Sequence, residues 1–159
     1  MEITLELMQK IQEGVPQLAG LKHSSINFAN VREWEKMGLS CFIGSSMLMV
    51  PALSLGAVGC IDGPPSAAPE LWVNIWKSWQ SGDINAAMEA QKKASSFTEI
   101  MREAGVHSGT KAVLTERLGI DCGSGRLPNP PLEGARRENI LQRVSDLGIG
   151  KVMSVASDD

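Results

Sequence analysis

The sequence contains no tyrosine, and only three phenylalanines and four tryptophans among 159 residues. Chemistry that needs a phenol to relay a proton must therefore obtain it from outside these residues. Cysteine is scarce as well. Cys41, Cys60 and Cys122 are odd in number and show neither a CxxC pair nor Cys/His ligand spacing. That argues against a disulfide framework or a zinc site and for buried thiols in a reducing, cytoplasmic compartment. No apolar run approaches the roughly 20 residues that a membrane helix needs. The opening MEITLELMQK begins with an acid and lacks the apolar centre of a signal peptide. Neither sign of charge dominates: 15 basic against 18 acidic side chains leave a net charge of -3. Such a balance provides no electrostatic footprint for nucleic acid or an anionic membrane. What is present is globular, with 43% hydrophobic and 21% charged residues at the length of an ordinary domain.

The hydrophobic pattern predicts an α/β segment first. Leu5, Met8 and Ile11 have helical spacing up to Gly14, and Val15-Pro16 marks a turn. LAGLK then fits a buried parallel strand. FANVREWEKMG reads as a helix with Asn27 as its cap and Gly38 as its stop. SCFIGSS is a second strand breaking at Gly44. MLMVPALSLG is a short helix that tolerates Pro51 only in its first turn or at a kink, and AVGCIDG is a third strand. Alternation with short connections predicts a parallel sheet with right-handed crossovers. After GPPSAAP the pattern becomes helical: residues 69–80, then a helix capped by Asp83 to about Ala104, then SGTKAVLTERLG closed by Gly119. A proline-rich loop, RLPNPPLEG, precedes a last helix in ARRENILQRVSDLG. The expected division is a sheet-bearing part over 1–68, a helical part over 69–150 and a flexible tail over 151–159.

Lys22 ends the first apolar run, with His23, Ser24 and Ser25 behind it. A lysine there is either a solvated boundary residue or part of a site, because parallel α/β sheets gather active sites at the C-terminal ends of their strands. Among apolar neighbours its charged form loses hydration. The neutral amine can then add to a ketone as a Schiff base, and the protonated imine is an electron sink for C–C bond making or breaking.

GLKHSS resembles the Schiff-base lysine strand of the dihydrodipicolinate synthase / N-acetylneuraminate lyase family, class I pyruvate-type aldolases built on a (β/α)8 barrel. FIGSS resembles that family's strand-seven glycine turn and LGAVGCID its strand-eight segment. AAPELW with SGDINAAMEAQ resembles the two helices that follow, and TKAVLTERLGI with RLPNPPL the closing segment. The resemblance implies a partial TIM barrel, strands six to eight, followed by a C-terminal helical domain. It makes Lys22 the catalytic amine and places Gly44 and Ile61 beside the substrate. It further implies a pyruvate-type 2-keto acid as substrate and no cofactor or metal. The partners it implies are further copies of the chain or a complementary barrel half.

Several departures qualify that reading. Many members carry a serine and then an asparagine after the eighth strand, where this chain has Asp62 and Ser66 around GPP. Asp62 either meets a cation or sugar hydroxyl or caps the next turn, the second being favoured. The family's Thr-Thr segment for the pyruvate carboxylate and its proton-relaying tyrosine lie before the matched region. Three strands cannot close a barrel. The expectation is therefore a fragment, a truncated reading frame or half of an assembly, with a non-catalytic interaction module as the alternative function. Trp72, Trp76 and Trp79 form one helical stripe, read as core unless the helix lacks a packing partner. His23 should point to the face opposite Lys22 and serve packing or hydrogen bonding. His107 is expected in a surface loop, and Lys111 and Arg126 in structural roles, Arg126 bridging helix ends.

Overall fold

The structure, a computed structural model, describes residues 3–152. The chain divides after Asp62 into two compact units. In the first, helix α1 (Leu5–Gly14) starts at Thr4, whose hydroxyl accepts from Leu7 N at 3.2 Å. Of its three apolar positions only Met8 is fully buried, while Leu5 stays 39% exposed. Strand β1 (Gly20–His23), helix α2 (Asn30–Lys36), strand β2 (Ser40–Ile43), helix α3 (Met49–Ser54) and strand β3 (Gly59–Cys60) follow. The three strands form a parallel sheet in chain order, with Lys22 opposite Phe42 and Phe42 opposite Gly59. That is the order the alternating pattern predicts. Formal pairing in β3 covers two residues, yet Val58 N and Ile61 N also donate to Cys41 O and Ile43 O, both at 2.9 Å.

Alternation along the strands sorts the sheet into two faces. Cys41 and Ile43 pack with Val31 and Trp34 of α2, and Leu21 and Cys60 lie against the same core. Lys22, Phe42 and, one step beyond β3, Ile61 occupy the other face, where Lys22 is exposed and Ile61 is 48% exposed. Pro51 falls in the first turn of α3, where its missing N–H costs no helical bond. Asn27 does not cap α2. The helix begins at Asn30 with Ala29 at its N-cap and no side-chain cap bond. Asn27 lies in the preceding loop, where its carbonyl accepts from Asn30 N at 3.2 Å and its own N–H bonds Ser25 Oγ at 3.0 Å.

In the second unit every regular helix or strand among the described residues is helical: α4 (Pro69–Gln80), α5 (Ile84–Ala104), α6 (Val106–Leu118) and α7 (Gly134–Asp146). Asp83 caps α5, its Oδ1 accepting from Ala86 N at 2.9 Å. The tryptophan stripe is graded. Trp72 is buried edge-to-face against Phe97, with ring centroids 6.2 Å apart, whereas Trp76 is 36% exposed. Helix α6 starts two residues before the expected Ser108, because Gly105 at φ +82° breaks the chain in a conformation that L side chains rarely adopt. His107 therefore sits in the first turn of α6 and not in a loop, though it is exposed. Arg117 Nε donates to Gly150 O at 3.0 Å and its guanidinium pairs with Glu70 at 2.6 Å. Val152 N reaches Arg117 O at 3.0 Å, so residues 151 and 152 remain tied to α6. The rest of the expected tail lies outside the described residues. No helix among the described residues is long and apolar enough to cross a membrane.

Candidate active site

The C-terminal end of β1 is set by three bonds that meet on the residue after the lysine. The carbonyl of His23 accepts from Gly44 N at 2.7 Å. Its Nδ1 lies 3.1 Å from Trp34 Nε1 and its Nε2 lies 3.1 Å from Asn27 O. An indole N–H can only donate, so Nδ1 is the acceptor and the proton of the neutral ring resides on Nε2, which donates to Asn27 O. His23 is 4% exposed, on the helix-covered face. Lys22 is exposed on the other face; it borders, with Leu21, His23 and Trp34 of the covered side and with the Ser24–Ile26 loop, a cleft of about 520 Å³. Ile26 is fully exposed at its rim.

Gly44 brings β2 against this corner. A Cβ there would collide with Ser24 Oγ and stand 2.9 Å from Ser24 Cβ and 3.0 Å from His23 O. Only a residue without a side chain allows the approach. Lys22 and Gly44 are thus brought together through the His23–Gly44 bond. Ile61 lies one strand further along and two residues beyond the level of Lys22, roughly 12 Å away at the usual strand spacing and rise. Next to it, burial pushes the Cys60 thiol up to about 12, with the Asp62 carboxylate adding to the shift. Burial alone raises Cys41 to about 11. Both thiols are protonated near neutrality and supply no nucleophile.

Asp62 does cap a turn, but an earlier one than expected. Its Oδ2 accepts from Ser46 N at 2.9 Å, at the start of the turn that leads into α3. Ser66 bonds within its own turn, Oγ donating to Gly63 O at 2.6 Å. In the second unit Lys111 holds the loop after α6, Nζ donating to Cys122 O at 2.7 Å. Arg126 lies exposed in that loop and accepts from Asn129 N at 2.9 Å through its carbonyl; no bond from its guanidinium bridges two helix ends among the described residues. Sequence reasoning missed Trp34. The only available signal was its place on the apolar face of α2 with Val31, which speaks of burial and not of its indole donor.

A model of the dihydrodipicolinate synthetase family matches residues 1–147. A DapA-like lyase of Halobacterium salinarum is 28% identical over 150 residues, which cover 93% of this chain and 49% of that protein. A 4-hydroxy-tetrahydrodipicolinate synthase of Prochlorococcus marinus is 28% identical over 137 residues, or 84% of this chain and 45% of that one. The chain thus spans about half the length of these relatives. Among solved structures, the sialic acid aldolase of Ruminococcus gnavus superposes with a TM-score of 0.83 at 22% identity, over 93% of this chain and 52% of that one. Identity that low speaks for a shared fold.

Proposed function

Since the chain belongs to the dihydrodipicolinate synthetase family, we propose that it carries the Schiff-base half of a class I lyase, with Lys22 as the amine that condenses with a pyruvate-type 2-keto acid. In this reading β1, β2 and β3 correspond to strands six to eight of a (β/α)8 barrel, residues 1–68 being barrel and 69–150 a helical region after it. The observation that carries the reading is the position of Lys22. It is the last residue but one of a parallel strand, exposed on the face opposite the Val31–Trp34 core and lining a cleft, as suits an active-site residue of such a sheet.

Chemically, the Nζ lone pair adds to the ketone carbon, and the carbinolamine loses water to an imine. The protonated imine then accepts the electron pair left when a bond to the neighbouring carbon breaks. Gly44 and Ile61 would stand beside the bound keto acid, Gly44 because its bare backbone leaves room and Ile61 as an apolar wall. Desolvation of Lys22 and a proton relay have to come from further barrel wall, in the same polypeptide or in a partner. The three free thiols suit a reducing, cytoplasmic setting.

Trapping with pyruvate and borohydride, read by peptide mass mapping, tests the reading. The chain by itself should give little or no adduct. With the remaining wall supplied, in trans or as a fusion, an adduct should form at Lys22 and vanish in Lys22→Ala. Turnover should further require that the added wall bring a tyrosine, since general acid/base catalysis contributes about 10²–10⁴-fold. A folded assembly that yields no adduct at Lys22, or one at Lys111, would overturn the assignment and favour a non-catalytic interaction module.

A further inference from the structure

Three separate elements converge on His23, the residue that follows the proposed reacting amine. Strand β2 holds its carbonyl through Gly44 N at 2.7 Å. Helix α2 holds Nδ1 through the Trp34 indole at 3.1 Å, and the loop after β1 is held by Nε2 through Asn27 O at 3.1 Å. Such a three-point arrangement is more than a buried strand end requires. Val31, Trp34 and Ile43 belong to one buried apolar cluster on this face, and a leucine at position 23 would take this partner from the buried Trp34 indole N–H and from the Asn27 carbonyl. The polar ring does something an apolar one cannot. It ties α2 to the Ser24–Asn27 loop, whose residues 24–26 wall, together with His23 and Trp34 themselves, the cleft that Lys22 also lines.

We propose that His23, locked by Trp34 as its Nε2–H tautomer, is a positioning residue that sets the Ser24–Asn27 wall against Lys22. The indole leaves the ring no choice. With Nδ1 committed as acceptor, Nε2 must carry the proton, and the only use for that proton seen here is the Asn27 carbonyl four residues on. The loop is thereby held to the end of β1, and Ser24, Ser25 and Ile26 keep their places in the cleft that Lys22 also lines. Gly44 completes the arrangement, because its missing side chain lets Ser24 lie directly on β2. The inference rests on the reading of Lys22 as the reacting amine, but its geometry is present without substrate.

The test uses the 159-residue chain itself. Ring ¹⁵N shifts of His23 are recorded first; they should show an unprotonated Nδ1 and a protonated Nε2, and the opposite tautomer overturns the proposal. The lysines are then dimethylated with ¹³C-formaldehyde and a mild reductant, so that each amine reports its surroundings by NMR. Trp34→Phe keeps an aromatic ring and removes only the donor. The Lys22 signal should shift or split in this variant, while those of Lys10, Lys36 and Lys77 stay in place. His23→Leu should do the same. His23→Gln, which still offers an N–H towards Asn27, should restore part of the wild-type Lys22 signal. A His23 that merely supports the fold would lower the unfolding midpoint in all three variants and leave the Lys22 signal unmoved, and that result overturns the proposal. If Trp34→Phe does not fold, the tautomer and the two His23 variants decide. No ketone is present in any arm. Failed trapping at Lys22 would therefore remove the proposed function alone, and an unresponsive Lys22 signal would remove the positioning role alone.

Discussion

At Gly44 the distance between two strands is decided by the absence of one methyl group. Gly44→Ala must push Ser24 aside or part β2 from His23 O, since its Cβ would stand inside contact distance of Ser24. The expected cost is about 1–3 kcal/mol, typical of an overpacked site, read as a lower urea midpoint with an unchanged m-value. Cys60 makes a second residue-level prediction through pH. Its ordinary value of 9.0 is raised to about 12 in the fold, and that of Cys41 to about 11. A raised acid binds more protons folded than unfolded, so its contribution is intact below about 9 and is lost as pH climbs through the folded value. Stability should thus fall from pH 9 up to about 11 for Cys41 and about 12 for Cys60, by at most about 1.4 kcal/mol per pH unit for each thiol. Cys60→Ala should flatten that decline relative to the wild type, and an equally steep slope in both would contradict the buried-thiol account. The signal for buried cysteine was legible in spacing and number, but the part played by Asp62 was not, since it depends on how β3 turns after Ile61.

Elements with purely local causes were legible in sequence. Asp83 and the 3.6-residue pattern after it define α5, and Gly119 in the left-handed region closes α6. Elements whose ends depend on distant partners were not. Asn27 has the chemistry of a cap, yet it lies in the loop that His23 holds, and α2 starts three residues later. The turn into α3 is likewise held from outside, by Asp62 sixteen residues on. Asp62→Ala should destabilise the first unit by about 0.5–2 kcal/mol, the usual range for a lost cap. Asp62→Asn keeps an acceptor oxygen for Ser46 N and removes the charge, so most of the stability should return while part of the upward shift at Cys60 disappears. Chemical denaturation and thiol alkylation against pH read the two effects separately. Equal destabilisation by Ala and Asn would show that charge, and not capping, is what Asp62 supplies.

For the chain as a whole, β1 and β3 are the edges of the sheet, with no further strand paired to either among the described residues. Phe42 and Ile61 lie on the sheet face opposite the Val31–Trp34 core, Ile61 is 48% exposed, and Ile26 in the loop after β1 is fully exposed. Free sheet edges and exposed apolar side chains favour association. The chain by itself should therefore sediment as oligomers or bind a hydrophobic dye, and both tendencies should diminish when barrel wall is supplied. A compact monomer that binds no dye would contradict this and weaken the proposed barrel correspondence with it.

The sequence by itself determined the order of elements, the parallel sheet and the place of Lys22 at a strand end. Each of these follows from local periodicity and from turn residues within a few positions. The tertiary structure alone decided which sheet face α2 covers, that Trp34 engages His23, that Asp62 reaches back to Ser46 and that Gly44 admits Ser24. Those contacts join residues as many as 20 positions apart, from Ser24 to Gly44. Hydrogen bonds of this kind depend on where the backbone carries a donor in space, and that is unknown until the elements have packed.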